Sequence, residues 1–338
     1  MNTKDTRAYG VLLVIILFFV SACGGSPDES ASNSEESLTI YSGRSESLVA
    51  PVIEAFQEST GIRVEVRYGD TAQLAVALTE EGDASKADIF WAQDAGALGA
   101  LASNEQFTVL PDSLLMKVAP SMRSADGSWV ATNARARVLA FSPGRVAEDE
   151  LPMSVLDLTD SKFKNRVGWA PTNGSFQSFV SAMRELVGDE TTRAWLIDMK
   201  ANGAKSYPKN SAILQGIANG EVDLGLPNHY YLLRFKSEDA GFPVEQTSFA
   251  SGDPGNLVNV AGVGILASSK ATSAAIRFVS FLLSPEMQQF FVDNTFEFAV
   301  TTASSGGDAV EAAMPEIDLN SLRKLESTLE MLREVELL

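Results

Sequence analysis

The strongest constraint on the fold lies between residues 38 and 94, where strand-like and helix-like segments alternate. Leu38-Thr39-Ile40-Tyr41 reads as a strand, and Ser42-Gly43-Arg44-Ser45 turns the chain. Leu48, Val52, Ile53 and Phe56 then fall on one helical face, with Thr60-Gly61 as the stop. Ile62 to Val66 is a second strand, about Thr71 to Glu81 a second helix, and Ala87 to Trp91 a buried strand ending at Gln93-Asp94. This order predicts an α/β domain with a largely parallel sheet, because parallel neighbours need helical crossovers that cover the sheet. The body shows no internal repeat at a solenoid period.

Lys4 and Arg7 precede the apolar run Val11 to Val20, which is too short to span a bilayer and reads as a signal-peptide core. It ends in Val20-Ser21-Ala22-Cys23-Gly24, which resembles a bacterial lipobox, with cleavage before Cys23 and lipid on that residue. The competing reading is a free or buried thiol; a disulfide within one chain is excluded, since Cys23 is the sole cysteine. Residues 1–22 are therefore expected to be a lipoprotein signal peptide and 23–37 a flexible, polar tether. The remaining body, about 300 residues, is long enough for two lobes.

The formal charge of −18 opposes binding to nucleic acid or to anionic lipid through a basic patch. Solubility of an exported protein accounts for most of that charge. No nucleophile motif or nucleotide-binding glycine fingerprint accompanies the single histidine, His229, so an enzyme is not expected. Asp88 and Asp94 could form an acid/base pair, but Asp88 at a buried strand end more often caps or pairs structurally.

Chemistry concentrates in the second half. Val222, Leu224 and Leu226 alternate with Asp223 and Gly225 as a short half-buried strand that stops at Pro227, and Tyr230-Tyr231 follow. If Pro227 and Asn228 turn the backbone, both phenols can reach one ligand. A phenol binds metal at neutral pH when a small, highly charged, oxygen-seeking cation replaces its proton, and ferric iron fits. An aromatic pair packed at a helix start is the other reading. Three short strands or turns also run into polar helix starts: Pro171 to Ser175, Tyr207 to Ser211, and Leu226 to Asn228. Helix N-termini aimed at one point would hold an anion, whereas separately these residues would merely cap their own helices.

Taken in order, Leu38-Thr39-Ile40-Tyr41-Ser42-Gly43-Arg44, Gly82-Asp83 with Ala87-Asp88-Ile89-Phe90, Arg135-Ala136-Arg137-Val138, Thr172-Asn173-Gly174-Ser175, Lys209-Asn210-Ser211, Asn228-His229-Tyr230-Tyr231 and Asp253-Pro254-Gly255 resemble the periplasmic ferric-ion-binding proteins of bacterial ABC importers. The resemblance implies a two-lobed periplasmic binding protein fold, type II and transferrin-like, with two hinge-crossing strands. It implies Fe(III) as the transported ligand, phosphate or carbonate as synergistic anion, an ABC permease in the cytoplasmic membrane as partner, an extracytoplasmic location and action as a monomer. Residue by residue, it makes Tyr230 and Tyr231 the ferric ligands and Asn173, Gly174, Ser175, Asn210 and Asn228 the anion holders. Arg135 falls on an arginine that some relatives direct at the anion.

This chain departs from the family at two first-lobe positions, carrying Ser45 and Gln93 where relatives have histidine and glutamate ligands. A hydroxyl and a neutral amide are weak ferric donors, and Glu46 is the candidate to compensate. The loss keeps a second reading open, in which the fold carries an organic anion such as an aminoalkylphosphonate without metal. His229 matches a non-ligating position, and its ring is expected to pack or bond locally. Tyr41 is expected near the ligand mouth, and Trp91 and Trp129 in the core or the cleft wall. Lobe one is expected over 38–136 plus 259–298 and lobe two over 137–258 plus 299–338. Arg135 to Ala140 and Leu257 to Ala261 are the hinge candidates, and a helix from Leu319 to Leu337 would brace lobe two.

Overall fold

The computed structural model describes residues 36–301 and 315–338, so the signal peptide, most of the tether and Cys23 lie outside the described residues. Two five-stranded sheets organise the body. The first has the order β2 (Arg63–Tyr68), β1 (Ser37–Ser42), β3 (Ile89–Ala92), β10 (Val258–Ile265) and β4 (Trp129–Ala136). The second has the order β7 (Lys205–Ser206), β6 (Val167–Trp169), β8 (Leu224–Gly225), β5 (Leu139–Phe141) and β9 (Glu245–Thr247).

Both sheets are mixed, which corrects the expectation of a largely parallel sheet. In the first, β1 is parallel to β2 and β3, but β10 is antiparallel to β3 and β4. In the second, β6 is parallel to β7 and β8, but β5 is antiparallel to β8 and β9. The reason is the path of the chain between sheets. After β4 the chain passes directly into β5, and after β9 it returns into β10. Each sheet therefore contains one strand that enters from the other sheet and must run against its neighbours. All the other strands point their carboxyl ends toward the crossing. The two hinge candidates of the sequence lie at these two passages.

That common direction places the strand-to-helix turns together. Helices α1 (Glu46–Thr60), α2 (Thr71–Glu81) and α3 (Ala95–Ser103) follow β1, β2 and β3, and the short α4 (Asp112–Leu115) precedes β4. In the second sheet α5 (Gly174–Val187) follows β6, α6 (Asp189–Ala201) follows α5, α7 (Asn210–Ala218) follows β7, and α8 (His229–Glu238) follows β8. Helix α1 ends where the sequence predicts, because Gly61 takes φ +71°, a left-handed conformation that closes the last turn with its N–H on the Gln57 carbonyl. Asp70 starts α2 by accepting from the N–H groups of Ala72 and Gln73.

Aromatic packing fills both cores. In the first lobe Phe56 of α1 meets Phe278 of α9 (Thr272–Leu282) edge-on at 5.0 Å, and Trp91 meets the same ring at 5.8 Å. Trp129 is fully buried. In the second, Trp169 contacts Phe176 and Trp195. Val222, Leu224 and Leu226 are all buried, so β8 is an interior strand rather than the half-buried one expected. Asp88 is structural, accepting from the Thr39 N–H and the Ser269 hydroxyl.

Two local expectations are corrected. Tyr41 lies away from the ligand mouth: it is buried, its hydroxyl donates to Glu81 and Arg67 covers its ring at 4.7 Å, because alternation along β1 turns it toward α2. The carboxy-terminal helix is broken at Lys324 into a 3₁₀ turn, Leu319–Arg323, and a helix; with α10 (Pro285–Phe290) earlier in the chain, that helix is α11 (Leu325–Glu334). Helix α11 fastens to α5 through Thr328–Ser181 at 2.8 Å and Arg184–Ser327 at 2.7 Å. The turn before it lies on α3, where the Leu322 carbonyl sits 2.9 Å from the place a Cβ would take on Gly96. The tail thus touches both lobes.

Asp223, at the entry to β8, is clamped by Arg145 at 2.5 Å and Arg166 at 2.6 Å. Burial pushes its carboxyl up, but the two guanidinium groups more than offset this and hold it below the ordinary range. A depressed carboxylate contributes stability above its unfolded value near pH 4, lost as pH falls through the folded value. Asp223→Asn is expected to lower stability by about 1 kcal/mol at pH 7, modest because the arginines are about one-third exposed. The difference from the parent in urea unfolding should vanish in acid; a difference that persists unchanged at pH 2 would contradict the clamp.

Candidate ligand cavity between the two sheets

Six helix N-termini meet at one cavity of about 380 Å³. From the first lobe come Ser45 before α1, Asp70 and Thr71 at α2, and Gln93 and Asp94 before α3. From the second come Asn173, Gly174 and Ser175 at α5, Asn210 at α7, and Asn228, Tyr230 and Tyr231 at α8. The arrangement follows from topology, since every one of these helices follows a strand that ends at the crossing. Sequence reading foresaw three such termini; the first-lobe three complete the set.

The termini differ in how they are satisfied. Asp70 and Asp94 cap α2 and α3 with carboxylates, so the positive ends of those helices are neutralised. Asn173 caps α5 with a neutral amide, accepting from the Ser175 N–H at 3.1 Å and the Ser175 hydroxyl at 2.7 Å. Lys209 and Asn228 give no side-chain cap to α7 and α8; in α8 the Tyr231 N–H turns to the Asn228 carbonyl at 3.4 Å, and the Asn228 side chain does not cover the N–H groups before it. One wall of the cavity is acidic, and the facing wall is rich in N–H donors.

Asn173, Ser175 and Asn210 are joined to one another, the Asn210 amide donating to Ser175 Oγ at 3.3 Å and Asn173 Oδ1 at 3.4 Å. Arg137 locks this group from behind, donating to the Ser175 carbonyl at 2.8 Å and the Leu226 carbonyl at 2.5 Å. Burial lowers its guanidinium to about 9, still protonated at neutral pH. Arg135 also lines the cavity and is 2% exposed, yet none of its three guanidinium nitrogens has a hydrogen-bond partner among the described residues. Burial pushes it down from its ordinary range, with Tyr230, Asp94 and Glu297 opposing. A buried guanidinium with every donor free is a ready anion partner.

Tyr230 and Tyr231 sit on the first turn of α8 with ring centroids 4.3 Å apart and planes 29° from parallel. The pair is thus both an aromatic stack at a helix start and two phenols on one cavity. Tyr230 is buried, and burial first, then Tyr231 and Glu297, push its phenol well up, Arg135 opposing. Left alone it stays protonated, and a bound cation would have to displace that proton. The oxygen donors on this cavity that suit a hard cation are the two phenols and the carboxylates of Asp70 and Asp94, the latter two already accepting from helix N–H groups.

Ser45 and Gln93 line the cavity, while Glu46 is exposed on α1 outside the lining. His229 does not line this cavity but a rear one of about 260 Å³, its side chain diverging from the tyrosines. Asp70 and Arg234 were not foreseen. Arg234 was legible in spacing: three and four residues beyond the tyrosines, it shares their helix face and lies 5.4 Å from the Tyr230 ring centroid.

The profile of the bacterial extracellular solute-binding proteins matches residues 52–316. The chain is 31% identical to the Fe(3+)-binding periplasmic protein of Serratia marcescens over 306 residues, 88% of this chain and 90% of that one. It is 36% identical to the major ferric iron-binding protein of Neisseria meningitidis serogroup B, over 75% of this chain and 77% of the relative. Among solved structures, iron-bound HitA from Pseudomonas aeruginosa superposes with a TM-score of 0.83 at 34% identity, covering 89% of this chain and 99% of that one. With two lobes, converging helix N-termini and paired tyrosines already in place, the chain belongs to the bacterial extracellular solute-binding protein family, among its periplasmic ferric-ion-binding members.

Proposed function

We propose that this protein captures Fe(III) together with a synergistic anion, phosphate or carbonate, and delivers it to an ABC permease. The observation that carries the reading is the stacked Tyr230–Tyr231 pair on a donor-rich second-lobe wall, facing a first-lobe wall that carries Asp70, Asp94 and the unpartnered Arg135. Tyr230 and Tyr231 are the metal ligands, and Asn173, Gly174, Ser175, Asn210, Asn228 and Arg135 hold the anion. Anion and metal bind first to the second lobe, residues 137–258 plus 299–338. The first lobe, 38–136 plus 259–298, then closes about the two passages between the sheets. Lipid on Cys23 anchors the protein at the extracytoplasmic face, where it works as a monomer.

The metal-free organic-anion reading is weakened by the first-lobe wall. Asp70 and Asp94 face the cavity, and a closed lobe would press two carboxylates toward an anionic ligand with Arg135 alone among the described first-lobe lining residues to offset them.

Two measurements test the proposal. Purified protein mixed with ferric citrate in phosphate or bicarbonate should develop a broad phenolate-to-iron charge-transfer band, weakened in both Tyr230→Phe and Tyr231→Phe. A colourless parent that is nonetheless stabilised by phosphonates would sink the iron reading. Separately, Arg135→Met should remove the anion-dependent rise in stability, about 2.7 kcal/mol at a hundredfold excess over the dissociation constant. The same variant should leave ligand-free stability unchanged or higher, since a buried cation gives way to an apolar side chain. Undiminished phosphate stabilisation in Arg135→Met would exclude the arginine from the anion site.

A further inference from the structure

We infer that His229 is a positioning residue that fixes the Tyr230 phenol relative to the Arg135 guanidinium; the inference rests on the proposed iron-and-anion site. The imidazole is 3% exposed and lies where three segments meet. Its Nδ1 accepts from the Ala136 N–H at 3.2 Å, and its Nε2 pairs with the Phe296 carbonyl at 2.8 Å. A face of the ring stacks on Phe298 at 4.1 Å and 6°, and Tyr230 meets it edge-on at 5.8 Å.

The bond to Ala136 joins two segments of the site. His229 directly precedes Tyr230 and follows Asn228, while Ala136 directly follows Arg135. One imidazole bond therefore joins the residue beside the phenol to the residue beside the guanidinium, across the passage from β4 to β5. Phe298 is itself held to Ala134 by a pair of backbone bonds, 2.8 and 2.9 Å, so the stacked ring is a fixed surface. Pro227 and Asn228 also pair with this passage, through Val138 N–H to the Pro227 carbonyl at 3.1 Å and the bridge Arg137–Asn228. The start of α8 is thus registered against β4 at two levels, and only the imidazole acts next to the phenol.

The partners dictate the ring's form. A backbone N–H only donates and a carbonyl only accepts, so Nδ1 is bare and Nε2 carries the proton. No other side chain of similar shape offers an acceptor and a donor at these two points. Phenylalanine would keep the stack and lose both bonds, while asparagine places its oxygen near the Nδ1 position and would restore the bond to Ala136.

The experiment compares the parent, His229→Phe and His229→Asn, each shown to be folded by cooperative urea unfolding. In His229→Phe the ferric charge-transfer band is expected to shift in wavelength, and ferric affinity to fall by about 10- to 100-fold, as when a supporting partner of a metal ligand is lost. His229→Asn should recover part of both. Band position and affinity equal to the parent in folded His229→Phe would overturn the inference. Phosphate affinity of the iron-free protein separates the two claims. A parent without a band whose phosphate affinity nonetheless drops in His229→Phe would refute iron and keep the positioning role; equal phosphate affinities in that case would overturn it. Because His229 is the sole histidine, nitrogen-15 labelling of histidine gives one imidazole in the parent alone. A protonated Nε2 and bare Nδ1 are expected, and an Nδ1–H tautomer would overturn the inference even if neither variant folds.

Discussion

A buried guanidinium must find acceptors or it weighs against the fold, and three of them lie behind this cavity. Arg44 donates to Asn133 at 3.1 Å and to Glu297 at 2.6 Å, an ion pair almost wholly out of solvent. Arg137 is spent on the carbonyls of Leu226 and Ser175. Arg135 has no such partner among the described residues. The first two tie the turn after β1 to the chain near residue 297, and the crossing to α5, so the surroundings of the third are rigid. Desolvating one ion costs several kcal/mol after relaxation. A fold that keeps Arg135 buried, close to Tyr230 and Asp94 but bonded to neither, leaves its donors open, and under the proposed reading an incoming anion completes them.

Much of the fold was legible. The period change from two to 3.6 residues placed α1 and α2 to within a residue or two, and the Asp70 cap and Gly61 stop are local chemistry that the chain carries in itself. What was not legible is long-range. The antiparallel strands β5 and β10 exist because the chain crosses between sheets twice, and no local pattern of Val258 to Ile265 distinguishes that direction. The break at Lys324 is similar: helical periodicity runs through it, but the preceding turn is recruited by α3.

For the site, the second lobe could be read because each proposed anion-holding residue stands at a turn signal before a helix. In the first lobe, Ser45, Gln93 and Arg135 were named only through the family resemblance, and no local pattern marks them. Asp70 looks like any helix cap until topology aims its helix at the cavity, and Arg135 sits within an eight-residue strand that is buried throughout. His229 invited a ligand reading by proximity alone; its bonds to Ala136 and Phe296 show why adjacency on a helix does not mean a shared direction.

Under the proposed reading, charge explains why anion and metal travel together. Closure excludes water, and within a dry cavity each unbalanced charge becomes expensive. Two phenolates remove most of the charge of a ferric ion, and Asp70 and Asp94 are balanced by Arg135 of the same lobe and Arg234 of the other. Ion, phenolates and side chains together leave roughly one positive charge uncancelled, which the uncapped end of α8 increases. A small anion cancels it and fills the donors that no protein group satisfies. Iron without anion would leave Arg135 bare, and anion without iron would set Asp70 and Asp94 against it. The cavity is therefore best closed over both, which makes its selectivity a property of the pair rather than of the metal ligands alone.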